Sequence, residues 1–338
     1  MIPFKRLLTK SSKSPDHPQE REMLSYHLQD VVETAQVLVG VVGHQSLKSL
    51  GLEDVFDCEA LSAAVVRGAF THDLGKANNQ FQRMVRHGPR LPQALRHEWI
   101  SAWLLLTCPE LDHWLFAGCS LLTRHAALFA ALGHHLKVED GATVSDRGGS
   151  GDVKVAVLCD HSDFRASLQV ACNSLGLPAP PLLQRVEIDL LSRPLAELRK
   201  WLMEALGWYK KTDANTQRFI ALAKALVIAA DVAGSALPKE GMNPGKWAQE
   251  VLGRVCAEKD LRDIATTRLG PYRPRPFQRQ VEESKGRVTF VKAGCGSGKT
   301  AAAYLWAAHR AAGRKLFSAI PRPALPPKGI MITSSPPR

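Results

Sequence analysis

The chain has 338 residues, 45% of them apolar, and a net charge of +12, which allows two domains with hydrophobic cores and argues against a disordered protein. No apolar run reaches the roughly 18 to 20 residues that span a bilayer, and the basic N-terminus lacks the apolar stretch of a signal peptide. The seven cysteines are scattered without a Cys-x-x-Cys pair, which argues against a disulfide framework or a zinc ribbon. We therefore expect a cytoplasmic globular protein.

The first strong element is an amphipathic helix over residues 24–42. Its apolar residues recur at spacings of three and four, which is typical of a helix with one buried face. His27 lies within this apolar stripe, so its side chain is expected to point inward. Taken alone, an inward histidine is more often a hydrogen-bonded core residue than a metal ligand.

A His-Asp pair follows the second helix, which the Ala-, Leu- and Val-rich residues 59–70 predict. His72 and Asp73 are expected at its C-terminal end, where Gly75 can terminate it. Adjacent helical residues diverge by roughly 100°, so a metal ion held by both would need ligands from other helices. The alternative is a surface histidine beside a helix-capping aspartate. Whether other helices supply further ligands decides between a metal site and this alternative.

Further histidines stand at the ends of later helices. His97 opens a helix that continues to Leu106, and a helical stretch over residues 114–136 contains the consecutive His134 and His135. Two adjacent histidines are seldom needed for packing, so this pair favours metal binding. The Gly-rich residues 139–152 that follow are predicted to form a loop.

Asp231 is the last candidate ligand. Helices are predicted over residues 194–208 and 215–237, and Asp231 lies near the end of the second among Ala, Val and Ile. A carboxylate in such surroundings carries a large desolvation cost unless it is paired or binds a metal ion. The sequence thus predicts a mainly α domain over residues 15–265, with imidazoles and carboxylates sufficient for two divalent cations. The candidate ligands are His27, His72, Asp73, His97, His134, His135 and Asp231, with His125 in reserve.

The order of these motifs resembles the HD metallohydrolase superfamily and, within it, the CRISPR-associated HD nuclease-helicases of type I systems. The resemblance covers most of residues 20–240 and implies an HD-domain helical bundle with a binuclear metal site. One departure is Leu136, where Gly is common in the family. The signatures are Leu-Ser-Tyr-His27, His72-Asp73 with Lys76 and Phe81-Gln82, Arg-His97-Glu98 with Ser101, Gly-His134-His135, and Ala-Asp231 with Ser235.

A phosphate-binding loop lies in the basic C-terminal fifth, residues 271–338, which hold thirteen Lys and Arg against two acidic residues. The loop, residues 293–300, is expected between a strand at 287–292 and a helix at 301–312. Lys299 would reach the outer phosphates of a nucleotide and Thr300 would hold Mg²⁺, while the backbone at Gly296 and Gly298 would cradle the phosphates. Gln278 resembles the adenine-reading glutamine of superfamily 2 helicases.

The predicted helicase portion is incomplete, because no Asp or Glu follows Glu283 and ATP hydrolysis needs a later carboxylate. We expect residues 271–320 to be an N-terminal fragment of an α/β, RecA-like helicase lobe that binds ATP–Mg²⁺ at most without turnover, with a strand at 315–320. Residues 321–338 contain six prolines and are predicted to be a disordered tail. Family members continue into a two-lobed helicase, so the chain resembles a shortened or frameshifted version.

Three functions remain open from the sequence. The preferred one is a metal-dependent endonuclease and exonuclease for single-stranded DNA, with Asp73 and Lys76 as catalytic residues. The resemblance implies a guide-RNA surveillance complex as partner and two divalent cations, with Mn, Fe, Co, Ni or Mg as candidates. The alternatives are an HD-type nucleotide phosphohydrolase, which the phosphate-binding loop disfavours, and a non-catalytic subunit that docks on the surveillance complex.

Overall fold

The computed structural model describes residues 4–87, 93–135, 154–189, 194–286, 288–310 and 313. The chain divides into two compact units, Met1–Gln249 and Glu250–Arg338. Both consist mainly of helices, which confirms the predicted helical class. The domain limits predicted from the sequence, 15–265, 271–320 and 321–338, stay a prediction, and the tail at 321–338 lies outside the described residues.

Helices make up most of the first unit. They are α1 (Leu24–Leu38), α2 (His44–Ser49), α3 (Cys58–Thr71), α4 (Asn79–His87), α5 (His97–Thr107), α6 (Pro109–Phe116), α7 (Leu121–Leu132), α8 (Ser162–Leu175), α9 (Pro194–Lys211) and α10 (Ala214–Ala236), with α11 (Pro244–Gly253) at the division between the units. A two-stranded antiparallel sheet, β1 (Lys154–Val157) and β2 (Val186–Asp189), pairs Val155 with Ile188.

The core of this unit lies where α1, α3, α7 and α10 pack against one another. Leu61, Val65 and Phe70 on α3 are fully buried there. Helix α10 crosses α1 closely at Gly234, because an added Cβ would lie 2.7 Å from the Val31 side chain. This crossing brings the start of α1 beside the last turns of α10, where His27 and Asp231 are found.

Helix α10 is relevant to the expectation that the chain has no membrane-spanning segment. Together with the short helix that follows it, α10 forms the segment Ala214–Glu240, which is long and apolar enough to cross a membrane by length and composition. A core helix passes the same test, and α10 packs against α1, α3 and α7 with Asp231 near its end.

The predicted helices over 24–42, 59–70, 194–208 and 215–237 are confirmed with small shifts of their ends. The single helical stretch predicted over 114–136 is wrong, because α6 and α7 are separated and bent by 112°. Gly118 takes a positive φ of 70° at the break, and Ser120 then caps α7 by accepting a hydrogen bond from the Thr123 N–H. The loop predicted at 139–152 lies outside the described residues.

The second unit is built on α12 (Glu258–Leu269), α13 (Pro276–Glu283) and α14 (Lys299–Arg310). Leu261 of α12 and Trp306 of α14 form its core, with Val281 and Tyr304 packed against them. Helix α12 falls inside the range predicted for the first domain, and in the structure it packs on α14.

The α/β character predicted for this unit is not confirmed. Residues 288–292 form no β-strand, and residue 287 is not described. A strand needs a neighbour to pair its backbone, and no neighbouring strand is present in the described part of this unit. The helix predicted at 301–312 begins two residues earlier, at Lys299, while residues 311–312 and the strand predicted at 315–320 fall outside the described ranges.

Candidate metal centre

The seven candidate ligands come from five separate segments of the first unit and converge in one place. His27 is in the first turn of α1, His72 caps the end of α3, and Asp73 is the next residue. His97 begins α5, Asp231 lies in α10, and the histidine pair follows α7. Helix ends therefore supply most of the ligands, and the packing of the helices brings them together.

Two groups of ligand atoms result, and within each group the atoms lie within 4.8 Å of one another. We call the first group cluster A and the second cluster B. Cluster A consists of His27, His72, Asp73 and Asp231, and cluster B of His97, Glu98, His134 and His135.

Cluster A is organised around two carboxylates. His27 Nε2 lies 3.0 Å from Asp73 Oδ2 and 3.6 Å from Asp231 Oδ1. His72 Nε2 lies 3.3 Å from Asp73 Oδ2 and 3.6 Å from Asp231 Oδ1. The Ser235 hydroxyl contacts Asp231 Oδ1 at 3.2 Å and orients that carboxylate. Two imidazoles and two carboxylates in this arrangement are a suitable ligand set for a divalent transition metal.

Cluster B contains a residue that was not predicted as a ligand. Glu98 is only 1% exposed, and its Oε2 lies 3.4 Å from His97 Nδ1. Arg96 Nη2 holds the other oxygen at 2.7 Å. In the sequence Glu98 looks like an ordinary acidic residue in the first turn of a helix, and only its burial distinguishes it.

Asp73 connects the two clusters through its two oxygens. Oδ2 faces His27 and His72, whereas Oδ1 lies 3.1 Å from His97 Nε2 and 3.8 Å from His134 Nε2. A carboxylate in this position can bridge two cations, one on each oxygen. The arrangement is suited to a binuclear site.

Backbone carbonyls orient two of the imidazoles. His72 Nδ1 lies 2.5 Å from the Ala69 carbonyl oxygen, and His134 Nδ1 lies 2.5 Å from that of Ala131. A carbonyl oxygen only accepts hydrogen bonds, so each Nδ1 carries the proton and each Nε2 faces the clusters. Metal-binding histidines are commonly held in this way.

The surroundings of the site favour the ionised form of both aspartates. Burial opposes ionisation of Asp73, but His72 and Lys76 outweigh it and hold the pKa of Asp73 well below its usual range. Burial likewise opposes ionisation of Asp231, and contacts with His72 keep its pKa low. Burial lowers the pKa of His72, yet Asp73 and Asp231 outweigh burial and raise it to about 10.

The residues fit a bound metal because several of their buried polar atoms make no hydrogen bond, although ring nitrogens and carboxylate oxygens of the site lie as close as 3.0 Å. These atoms belong to both clusters, and buried polar atoms without partners are rare in native proteins. Coordination of a cation would satisfy all of them together. They are His27 Nε2, His72 Nε2, Asp73 Oδ1, His97 Nε2 and His134 Nε2.

The loop after Asp73 is fixed against the start of α5. The Gly75 N–H donates to Ser101 Oγ at 2.8 Å, and Ser101 in turn contacts the His72 and His97 carbonyl oxygens. An added Cβ on Gly75 would lie 2.0 Å from the His97 carbonyl oxygen. Gly75 is therefore needed for this close approach. It does not terminate α3, which already ends at Thr71.

Lys76 and His125, two other predicted residues, have different positions. Lys76 Nζ lies 2.5 Å from Asp73 Oδ2 and 3.3 Å from Thr9 Oγ1, at the edge of cluster A. His125 belongs to neither cluster, since its ring stacks on Trp208 at 4.3 Å between centroids and its Nδ1 contacts the Leu121 carbonyl. The reserve ligand is therefore placed as a packing residue.

The predicted nucleotide-binding residues all lie in the second unit. Lys299 Nζ donates to the Ala293 and Gly294 carbonyl oxygens at 2.9 and 2.7 Å. Gln278 is 2% exposed and donates to the Gly298 carbonyl oxygen at 2.9 Å. Gly296 and Gly298 have positive φ values of 71° and 86°, and Thr300 is in the first turn of α14. Lys299 and Gln278 thus bond to backbone carbonyls of the loop, whereas Ser297 Oγ is buried without a hydrogen-bond partner.

The fold and the two clusters define a helical domain of the HD type, in which a His-Asp pair joins ligands from neighbouring helices. A model of the family described as Cas3, HD domain matches residues 9–237. The chain belongs to this family.

A relative from Myxococcus xanthus (strain DK1622), which carries the name CRISPR-associated nuclease/helicase Cas3, is 37% identical over 324 residues. The match covers 94% of this chain and 42% of the relative, so the chain spans less than half the length of that protein. No solved structure gives a significant match.

Proposed function

We propose that this chain is a metal-dependent nuclease that hydrolyses phosphodiester bonds in single-stranded DNA as part of a CRISPR type I interference system. The observation that carries the proposal is Asp73, whose two oxygens face two separate groups of buried ligands. Membership of the Cas3 HD family supports it, as does the name nuclease/helicase of the Myxococcus relative.

Divalent cations held at clusters A and B would supply water activation and neutralise charge on the scissile phosphate and its leaving oxygen. The protein residues hold the ligand geometry and the local charge. Lys76, in contact with Asp73, is positioned to offset negative charge on the phosphoryl oxygens. Glu98, fixed by Arg96, keeps its position beside His97.

The source of the DNA, the cellular compartment and the role of the second unit are proposed from the same family membership. The strand displaced by a guide-RNA surveillance complex is the single-stranded DNA that such an enzyme would meet, and the cytoplasm is the expected compartment. The second unit is proposed to be the beginning of a superfamily 2 helicase lobe, because its phosphate-binding loop opens α14 and Gln278 contacts that loop.

Cleavage of a circular single-stranded DNA without ATP tests the proposal. The purified chain should linearise and then degrade the circle with Mn²⁺, and should lose this activity with EDTA. Circular DNA requires internal cleavage, so an exonuclease contaminant gives no product. Release of phosphate from nucleotides with no cutting of the circle would instead favour the nucleotide phosphohydrolase, and inactivity of the metal-loaded chain on both would favour the non-catalytic subunit.

A further inference from the structure

A pocket of about 410 Å³ opens beside the metal centre, on the side of cluster B. His97 and Lys76 are among its lining residues, so it adjoins the place where a scissile phosphate would lie. Its volume is in the range of small-ligand sites. Of the residues that line this pocket, His97 alone belongs to a ligand cluster, so metal binding does not explain the pocket.

The walls of this pocket differ in chemistry. One wall is apolar and comes from α4, with Phe81, Met84 and Val85. The N-terminal segment also lines the pocket and contributes Lys10 and Ser11. An apolar face and a cation in one pocket match a nucleotide, which has a flat base and a charged phosphate.

The N-terminal wall is held in place by specific contacts. Buried Gln82 bonds to both backbone groups of Leu8, accepting from its N–H at 2.9 Å and donating to its carbonyl at 2.8 Å. Gln82 also donates to the Lys76 carbonyl oxygen at 2.9 Å. One side chain therefore ties the pocket wall to the loop that carries Lys76, so the pocket is built before any ligand arrives.

Positive charge concentrates at the mouth of the pocket. Burial lowers the pKa of Lys10, and the neighbouring cations Lys239, Arg21 and Lys76 lower it further, while Glu22 opposes them. Like charges gathered on a partly buried surface repel one another, and an anion relieves that repulsion. The phosphodiester backbone of the proposed substrate is an anion that would lie next to this pocket.

We infer that this pocket binds the nucleotide next to the scissile phosphate, with its base against Phe81, Met84 and Val85 and its outer phosphate at Lys10. The inference rests on the proposed function and adds to it a binding site for one nucleotide of the unpaired strand. A base in a duplex is stacked and paired, and it would have to leave the helix to enter such a pocket. The pocket thereby gives the site a preference for single strands.

Two variants and a matched control test the pocket in the full chain. Lys10→Ala removes the phosphate contact, and Ser11→Trp fills the pocket from an exposed position. Lys13→Ala removes an equal charge from the same segment at an exposed position that does not line the pocket. The substrates are a thymidine 20-mer, the 5′ and 3′ p-nitrophenyl phosphate esters of thymidine, and bis(p-nitrophenyl) phosphate, which has no nucleoside.

Lys10→Ala should raise KM for the 20-mer roughly ten-fold, as expected for loss of one charge-assisted contact. Ser11→Trp should lower kcat/KM for at least one thymidine ester relative to the bis ester by roughly ten-fold, as expected for loss of base contacts. Metal content should be the same in both variants as in the unaltered chain, and Lys13→Ala should change neither the KM for the 20-mer nor the ester ratios.

Normal KM for the 20-mer in Lys10→Ala, or unchanged ester ratios in Ser11→Trp, would overturn the inference while leaving the metal centre intact. Failure of the unaltered, Mn²⁺-loaded chain to hydrolyse both the bis ester and the 20-mer would overturn the proposed function together with it.

Discussion

The candidate metal centre of the first unit and the phosphate-binding loop of the second differ in how many of their buried polar atoms make hydrogen bonds. In the first unit, buried ring nitrogens of four histidines and one oxygen of Asp73 make no hydrogen bond. In the second unit, the ammonium of Lys299 donates to two carbonyl oxygens of its own loop, and Gln278 is bonded at both ends of its amide, while Ser297 Oγ is buried without a partner. An external cation would satisfy the cluster of atoms in the first site, whereas Lys299 and Gln278 are already hydrogen-bonded within the second unit.

This difference helps to decide which of the two sites is built to hold an ion. Unsatisfied buried polar atoms cost free energy, so an arrangement that retains several of them together indicates a bound ion. The internally bonded loop would have to exchange its own contacts for those of a nucleotide before it binds one. The following predictions test this contrast, from the largest expected effect to the smallest.

Substitution of Asp73 by Ala should have the largest effect. Its two oxygens face both clusters, so we expect loss of cleavage by roughly a thousand-fold or more. The same should hold for His72→Ala, which removes a ligand of cluster A. His125→Ala is the matched control, because it also removes a buried histidine but one outside the clusters. Rates are measured on single-stranded DNA with Mn²⁺, and Mn²⁺-dependent cleavage by both folded variants would refute the ligand assignment.

Lys76→Ala should reduce cleavage by roughly ten- to a thousand-fold, the range for loss of one electrostatic contact to the transition state. Lys76 also neutralises Asp73 at 2.5 Å, so the variant should retain metal ions while losing rate. Single-turnover rates and metal content are measured on the same sample. An unchanged rate would leave Lys76 with a structural role only.

Lys299→Ala should leave metal-dependent cleavage of single-stranded DNA unchanged, because Lys299 Nζ donates to carbonyl oxygens of the phosphate-binding loop and its side chain is not part of either ligand cluster. The unaltered chain should show no ATP-driven unwinding, since residues 284–338 contain no carboxylate for Mg²⁺. ATP turnover is measured with and without single-stranded DNA. DNA-stimulated hydrolysis that disappears in the variant would show a working motor and remove the contrast between the units.

The smallest effect is expected for Asp30, a carboxylate of α1 that belongs to neither cluster. Burial and then Glu33 raise the pKa of Asp30 from 3.8 to about 6, whereas Asp231 stays ionised beside His72. Because the folded pKa exceeds the unfolded one, the protonated form favours folding, and this stability is lost as pH rises from about 4 to about 6.

Asp30→Asn should therefore raise Tm above pH 7 and give a smaller gain near pH 5. Asp30 is partly exposed, so solvent screening reduces the effect to about 2 °C. Thermal melts at both pH values measure it. An equal gain at both would show that the shifted pKa is not the cause.

The sequence was sufficient to predict the helices with regular apolar spacing and the candidate ligands that they carry. Helices α1 and α10 have one buried face each, whereas the last eight residues of α3 are all buried, and the inward position of His27 followed from the apolar spacing of α1. All seven predicted ligands come together, although their role as ligands stays a prediction.

Other features depend on contacts that local patterns do not contain. Strands β1 and β2 have four residues each and pair residues that are far apart in the sequence, from Val157 with Val186 to Lys154 with Asp189. The break between α6 and α7 depends on the positive φ of Gly118, and a glycine inside an apolar stretch is compatible with a helix. Glu98 becomes a ligand candidate only because α5 packs beside the loop at Gly75.

Metal content of the purified chain after reconstitution with Mn²⁺ and desalting tests the central claim most directly. The account predicts about two ions per chain, one for each cluster of ligands. His27→Ala and His134→Ala, one from each cluster, should each retain about one ion, and Lys299→Ala should retain both. Binding of no ion by the unaltered chain, or equal metal content in all four proteins, would contradict it.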